Sequence, residues 1–230
     1  MLHFAANIRH LLAQSPDAAA KLAADAGVTP ASLSSWAEGS SEPGLAALMS
    51  LADALQMSID RLLGVALATR HRAQGIRMLV LDVDGVMTDG GIYLTEGGDE
   101  IKKYNAHDGR GILTAQKMGI EVAFLSGGRH AESIRERARR LGVHRVYVGT
   151  QPKTEVLAHW LKDAGISHAE VAYIGDDVND LGVIAEVGFS ACPSDATARN
   201  KAAVDVVLRQ AGGAGCVREF IEEHLGVEVD

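Results

Sequence analysis

From residue 76 onward, short aliphatic runs alternate with longer amphipathic stretches, and few architectures can absorb that rhythm. The runs at 76–81, Val122–Ser126, Val146–Gly149 and Val171–Gly175 are rich in Val, Ile, Leu and Ala, as strands buried on both faces are. Weaker runs follow at Phe189–Cys192 and Val204–Leu208. Between them Gly109–Met118, Ala131–Leu141, Lys153–Ala164 and Asp180–Val187 read as helices, and Val217–His224 as a last one. Strand and helix in alternation predict an α/β fold, a doubly wound parallel sheet with helices on both faces. Gly90–Tyr104 breaks the pattern. It reads as a β-hairpin, with Ile92-Tyr93-Leu94 and Ile101-Lys102-Lys103-Tyr104 on either side of a Thr-Glu-Gly-Gly turn.

Residues 1–64 read differently, as a small all-α domain. Leu and Ala recur at helical spacing, interrupted at Ser15-Pro16, Gly27, Gly39–Gly44 and Gly64, which marks out about five short helices. Residues 65–75, with Arg70, His71 and Arg72, read as a linker, leaving 76–230 as the larger domain. Composition narrows the function classes. The net charge of −8 gives no global attraction for nucleic acid or anionic lipid. No apolar run reaches the roughly 18 residues of a membrane span, and the first residues lack the pattern of a secretory signal. Cys192 and Cys216 show no Cys-x-x-Cys spacing and read as reduced, buried thiols of a cytoplasmic protein.

A parallel sheet presents the residues after each strand at its carboxyl edge, where α/β proteins bind ligands. After the first strand come Asp82 and Asp84, then Gly85 to turn the chain; after the second, Ser126-Gly127-Gly128. Lys153 opens the helix after the third strand, and Gly175-Asp176-Asp177-Val178-Asn179-Asp180 follows the fourth. Like charges gathered this closely call for a metal ion or a shared proton. One hydroxyl, one lysine and several carboxylates are the equipment of phosphoryl transfer: an attacking carboxylate, and donors for the equatorial oxygens. Oxygen ligands without a Cys or His cluster point to Mg2+, and no Walker-type phosphate loop is present.

On these residues the domain resembles the haloacid-dehalogenase-like (HAD) superfamily, which carries a Rossmann-like sheet, and all four of its motifs occur in order: Asp82-x-Asp84, Ser126, Lys153 and Gly175-Asp176-Asp177-x-x-Asp180. Within it the chain is similar to the capless branch that includes 3-deoxy-octulosonate-8-phosphate and nonulosonate-9-phosphate phosphatases of surface-polysaccharide biosynthesis. That likeness rests on residues 82–90 with the hairpin after them, on Tyr104-Asn105-Ala106-His107-Asp108-Gly109-Arg110-Gly111-Ile112, and on residues 212–219. The resemblance implies that Asp82 attacks phosphorus and Asp84 acts as acid and then base. It implies that Ser126 and Lys153 hold phosphoryl oxygens. It implies Mg2+ on Asp82, the Asp84 carbonyl and Asp176, with Asp177 or Asp180 steadying its waters. Substrate contacts are implied for Asn105, Ala106, His107, Asp108, Gly109, Gly127, Arg129, Arg137 and Lys153, on a sugar phosphate, in a homotetramer whose neighbouring subunit completes the site. The chain departs from the branch in carrying His107 and Leu113 where arginines are usual, and in a Ser126–Arg129 loop one residue longer.

Residues 1–64 resemble the lambda-repressor-like helix-turn-helix domain, with Thr29–Trp36 in the place of the recognition helix. That segment offers no Arg, Lys, Asn or Gln, and three basic residues (Arg9, Lys21, Arg61) face six acidic ones (Asp17, Asp25, Glu38, Glu42, Asp53, Asp60) across the domain. DNA affinity needs cations at phosphates, so the expectation is a docking or packing module, with an exposed Trp36 face or the Leu45–Leu63 helices meeting a partner. The alternative to an enzyme is a regulatory protein that senses a sugar phosphate and acts through this domain.

Overall fold

The computed structural model describes residues 4–13, 15, 17–55, 59–64, 75–128 and 132–229. The chain divides into two compact units, residues 1–71 and 72–230. Arg70, His71 and Arg72 of the expected linker lie outside the described residues, as do Arg129 and the expected helix start at Ala131.

The first unit contains α1 (Phe4–Leu12), α2 (Ala18–Ala26), α3 (Pro30–Glu38), α4 (Leu45–Ala54) and α5 (Ile59–Gly64). Local chemistry sets their ends. Thr29 caps α3 by accepting the Ser32 N–H at 3.1 Å, Pro30 opens the helix, and Gly39 at φ 74° closes it. Ile8, Leu33, Leu51 and Leu62 are fully buried and form the core. Trp36 joins them, against the expectation of an exposed face. It is 7% exposed, and its ring centroid lies 6.2 Å from that of Phe4. The reason is spacing: Trp36 stands three residues after Leu33, so it shares that helix face, and burying the indole is worth more than leaving it in water.

The second unit is built on β1 (Met78–Leu81), β2 (Tyr93–Leu94), β3 (Glu100–Ile101), β4 (Glu121–Ser126), β5 (Arg145–Val148), β6 (Val171–Ile174), β7 (Phe189–Cys192) and β8 (Val206–Val207). Six of these pair in parallel in the order β5-β4-β1-β6-β7-β8, with helices on both faces, and β2 and β3 form a separate antiparallel hairpin. The helices are α6 (Ala106–Lys117), α7 (Glu132–Arg140), α8 (Lys153–Ala164), α9 (Leu181–Glu186), α10 (Ala198–Ala203) and α11 (Cys216–Glu219). Alternate side chains of β1 serve two cores. Leu79 and Leu81 pack with Phe124, Ile112, Ile134 and Phe220 on one face, whereas Met78 and Val80 pack with Leu125, Leu157, Tyr173 and Val183 on the other. Burial on both sides is why β1 is apolar along its whole length.

The elements differ from expectation mainly at their ends. α6 starts three residues early because Asn105 caps it, accepting the His107 N–H at 2.8 Å. The strand expected at Val204–Leu208 shortens to two residues on the sheet edge. α10, capped by Thr197, had no apolar periodicity to announce it. Among the described residues no helix is long and apolar enough to cross a membrane.

Candidate active site

Leu81, the last residue of β1, pairs with Phe124 of β4 on one side and Ile174 of β6 on the other. Asp82 therefore leaves the sheet where the strand order reverses, the place where an open parallel sheet forms its crevice. The chain then turns through Val83–Met87, with Asp84 at φ −80°, ψ 115° and Gly85 at φ 89°. The buried Thr88 hydroxyl locks this turn. It donates to the Val83 carbonyl at 3.3 Å and accepts from the Gly85 and Gly90 N–H groups at 3.4 and 3.3 Å. Glycine is required at 85 twice over: the positive φ suits no side chain, and a Cβ there would lie 2.2 Å from Asp176 Oδ2.

Lys153, at the start of α8, runs beneath the cleft with its side chain 5% exposed. Its Nζ stands 2.9 Å from Asp82 Oδ1 and 2.6 Å from Asp180 Oδ1. The fully buried Tyr173 hydroxyl donates to the same Asp180 oxygen at 2.5 Å. The other Asp180 oxygen accepts the N–H groups of Asp176 at 2.9 Å and Asp177 at 3.2 Å. Asp180 thus spends both oxygens on holding Lys153 and shaping the 175–180 loop. Asp177 accepts the Val178 N–H at 2.7 Å and borders the cleft.

Burial pushes the Asp82 carboxyl up to about 6, with Lys153 pulling the other way and Asp180 adding repulsion. Burial, then repulsion from Asp82 and Asp180, pushes Asp176 up to about 8. For Lys153 burial works against the ammonium, but the attraction of Asp82 and Asp180 outweighs it and its pKa is raised. The site carries excess negative charge, as a cation site must. Asp82, Asp176 and Asp180 bring carboxylate oxygens within 4.8 Å of one another. Asp176 Oδ1 is buried without a hydrogen-bond partner. An all-oxygen donor set with one orphaned carboxylate oxygen fits a hard divalent cation.

The cleft of about 350 Å³ is lined by Asp82, Asp84, Gly90, Ser126, Gly127, Gly128, Asp176, Asp177 and Asn179. Ser126 Oγ, buried at the end of β4, accepts the Gly128 N–H at 3.0 Å. Of the residues expected at the substrate, Asn105, Ala106, His107, Asp108, Gly109 and Arg137 are not among those lining this cleft. Asn105 caps α6 and donates to the Gly213 carbonyl at 3.3 Å, while Ala106 and His107 are exposed outside the lining. Asp108 is buried and accepts the Arg218 N–H at 2.8 Å, so it caps the carboxyl-terminal helix. Gly109 lies under Arg137, whose Nη2 donates to the Asn105 carbonyl at 3.0 Å and whose guanidinium sits 5.4 Å above the Tyr104 ring. Sequence reasoning missed Asn179, Tyr173 and Lys102. Asn179 stood inside a motif already singled out, whereas Tyr173 looked like any core residue of β6.

A reversed strand order with two aspartates at the end of β1, a serine after β4, a lysine on α8 and an acidic loop after β6 defines a hydrolase of the haloacid dehalogenase-like class. Residues 109–188 match the haloacid dehalogenase-like hydrolase family, and residues 19–62 match a helix-turn-helix family. Over 151 residues the chain is 41% identical to the 3-deoxy-D-manno-octulosonate 8-phosphate phosphatase of Escherichia coli K12, covering 66% of this chain and 80% of that protein. The crystal structure of the phosphatase of the same name from Yersinia pestis superposes with TM-score 0.68 at 39% identity, over 71% of this chain and 88% of that one. The one from Moraxella catarrhalis, in complex with a magnesium ion, a phosphate ion and a KDO molecule, superposes with TM-score 0.67 at 32% identity, over 70% and 92%. The chain belongs to this haloacid dehalogenase-like hydrolase family, on the branch of the 3-deoxy-D-manno-octulosonate 8-phosphate phosphatases, and is a phosphatase with a helix-turn-helix unit before it.

The raised Asp82 and Asp176 carboxyls tie stability to pH. Their folded forms hold protons that the unfolded chain releases near pH 4, so stability falls as pH rises from about 4 through about 8 and levels off above. In a chelator, the wild-type protein should melt lower at pH 8.5 than at pH 5, and Asp176→Asn should flatten that fall and melt higher than wild type at pH 8.5. Thermal melts read by circular dichroism check this, and a variant less stable than wild type at pH 8.5 refutes it.

Proposed function

We propose that residues 76–230 act as a Mg2+-dependent phosphomonoesterase on a phosphorylated keto-sugar acid, 3-deoxy-octulosonate 8-phosphate or a nonulosonate 9-phosphate, through an aspartyl-phosphate. One observation carries the reading: Asp82 Oδ1 is held at 2.9 Å by the buried Lys153, with Asp84 two residues on across the same cleft. Asp82 forms its bond to phosphorus while the ester oxygen departs, and Asp84 supplies that oxygen's proton. Asp84, now a carboxylate, takes a proton from the water that hydrolyses the aspartyl-phosphate. Ser126 and Lys153 hold the equatorial oxygens. Mg2+ held by Asp82 and Asp176 would supply charge neutralisation for the phosphoryl group. Relatives that act on this sugar acid phosphate support the substrate class, and the setting is cytoplasmic biosynthesis of a surface polysaccharide. The expected outcome is turnover of p-nitrophenyl phosphate with Mg2+ that EDTA removes and Asp82→Asn abolishes. In a panel of sugar phosphates, eight- and nine-carbon keto acids should give the highest kcat/KM. Activity that survives Asp82→Asn refutes the mechanism, and preference for a two- or three-carbon phosphate refutes the substrate.

The catalytic unit is a homotetramer in this reading. Ile92, Leu94 and Ile101 on the hairpin are 74%, 65% and 55% exposed, an apolar edge beside a cleft with no lid of its own. A neighbouring subunit covering that edge would exclude water from the site. Light scattering should give four chains per particle, and replacing these three residues with Ser should lower that number. A fully active monomer contradicts it.

The helix-turn-helix unit serves packing or docking to protein rather than DNA. Two of the serine hydroxyls of α3 are already engaged: Thr29 Oγ1 pairs with Ser32 Oγ at 2.8 Å, and Ser35 Oγ with Ser41 Oγ at 2.7 Å. Arg9 spends its guanidinium on the Ala37 carbonyl, at 3.3 and 3.0 Å. Few donors remain for base edges or phosphates. A gel shift at low salt with random-sequence duplex should show no retained band, and salt-sensitive, sequence-selective retention refutes this.

A further inference from the structure

Lys102 follows the hairpin strand β3 directly, yet its side chain is only 6% exposed. Its Nζ lies 2.5 Å from Asp84 Oδ1 and 2.5 Å from Glu100 Oε1. Glu100 is on the hairpin itself, so this ammonium is anchored at its own end and reaches across to the turn after β1. The far oxygen of Asp84 points the other way. Asp84 Oδ2 stands 3.3 Å from where a Cβ on Gly128 would be, beside the Ser126–Gly128 wall of the cleft. One oxygen is tied back to the hairpin and the other is presented to the cavity.

A carboxyl group at a turn, here carrying its proton on Oδ2, has free rotation about χ2, which is broad and roughly two-fold. The Asp84 side chain is 40% exposed, and packing alone does not fix it. A charge-assisted hydrogen bond to one oxygen removes that freedom, and charge-assisted bonds are about twice as strong as neutral ones. We propose that Lys102 is the positioning residue for Asp84: by holding Oδ1 it aims Oδ2 at the oxygen of the leaving group. This rests on the reading of Asp84 as the acid. Lys102 itself exchanges no proton; as the ester P–O bond breaks and Asp82 bonds to phosphorus, the proton passes from Asp84 Oδ2 to the departing oxygen. The hairpin's strands are two residues each, too short to be rigid unaided, so the same lysine makes acid alignment depend on hairpin placement.

The test separates alignment from simple support of the hairpin. A poor leaving group needs the acid, whereas a good one leaves without it, and kcat/KM reports the first irreversible step alone. The full-length chain with Mg2+ is assayed on phenyl phosphate and p-nitrophenyl phosphate, two esters of similar shape and different leaving-group basicity. Lys102→Met should lose about tenfold more kcat/KM on phenyl phosphate than on p-nitrophenyl phosphate, a modest share of the 10²–10⁴ that acid catalysis provides. Lys102→Arg should restore part of the phenyl phosphate rate. Equal losses on both esters, or none, overturn the inference, since a collapsed hairpin harms both alike. Asp84→Asn distinguishes the two layers. If it shows the leaving-group dependence and Lys102→Met does not, only the role of Lys102 falls. If it shows none, the acid role of Asp84 falls and this inference falls with it.

Discussion

The buried ammonium of Lys153 is the interaction on which the catalytic unit depends. Asp82 and Asp180 both lie within 3 Å of it, one at the end of β1 and the other after β6. Without that charge, two buried carboxylates would face each other, and neither could stay ionised at modest cost. Deleting one member of such a buried set costs about 3–5 kcal/mol, because the remaining charge is left uncompensated. The same contact gives Asp82 its position at the cleft. Asp180 passes the constraint on to the 175–180 loop through two backbone N–H groups, and that loop carries Asp176.

The opposite side of the cleft is organised by the turn after β1. Gly85 lets the chain double back under Asp176, and Thr88 clamps the turn with three hydrogen bonds. Gly212 closes the arrangement from the carboxyl-terminal segment, where a Cβ would lie 2.0 Å from the Gly85 carbonyl oxygen. Segments more than a hundred residues apart therefore fix one loop. Asp108, Asn105 and Arg137 tie α6 to its neighbours, and their polar atoms point into the protein rather than into the cleft.

The helical unit separates what its core specifies from what its surface presents. Its core, from Ile8 to Leu62, follows the helix-turn-helix pattern, and its third helix has a well-formed cap. Two of the serines on that helix pair with hydroxyls flanking it, Ser32 with Thr29 and Ser35 with Ser41. Fold family describes the core, whereas function lies in what the surface presents.

The sequence by itself determined the alternation of strands and helices, and the places of Asp82 and Asp84 after β1, Ser126 at the end of β4, Lys153 at the start of α8 and the acidic loop after β6. These were legible because a parallel sheet fixes where polar residues emerge: the first charges after an uninterrupted apolar run must lie at the carboxyl edge. The hairpin was legible too, from its turn residues. Tertiary structure alone decided the partners. No local pattern distinguishes a lysine that reaches across to Asp84, such as Lys102, from its neighbour Lys103, which is exposed. Spacing from Leu33 places Trp36 on the buried face of α3, but not that its ring would meet Phe4 of α1; nor did the sequence reveal that Asp108 would meet Arg218 of α11 or that the Asn105 carbonyl would meet Arg137 of α7. Spacing along the chain states which face of an element a residue occupies, but which distant element meets that face is set only when the whole core packs.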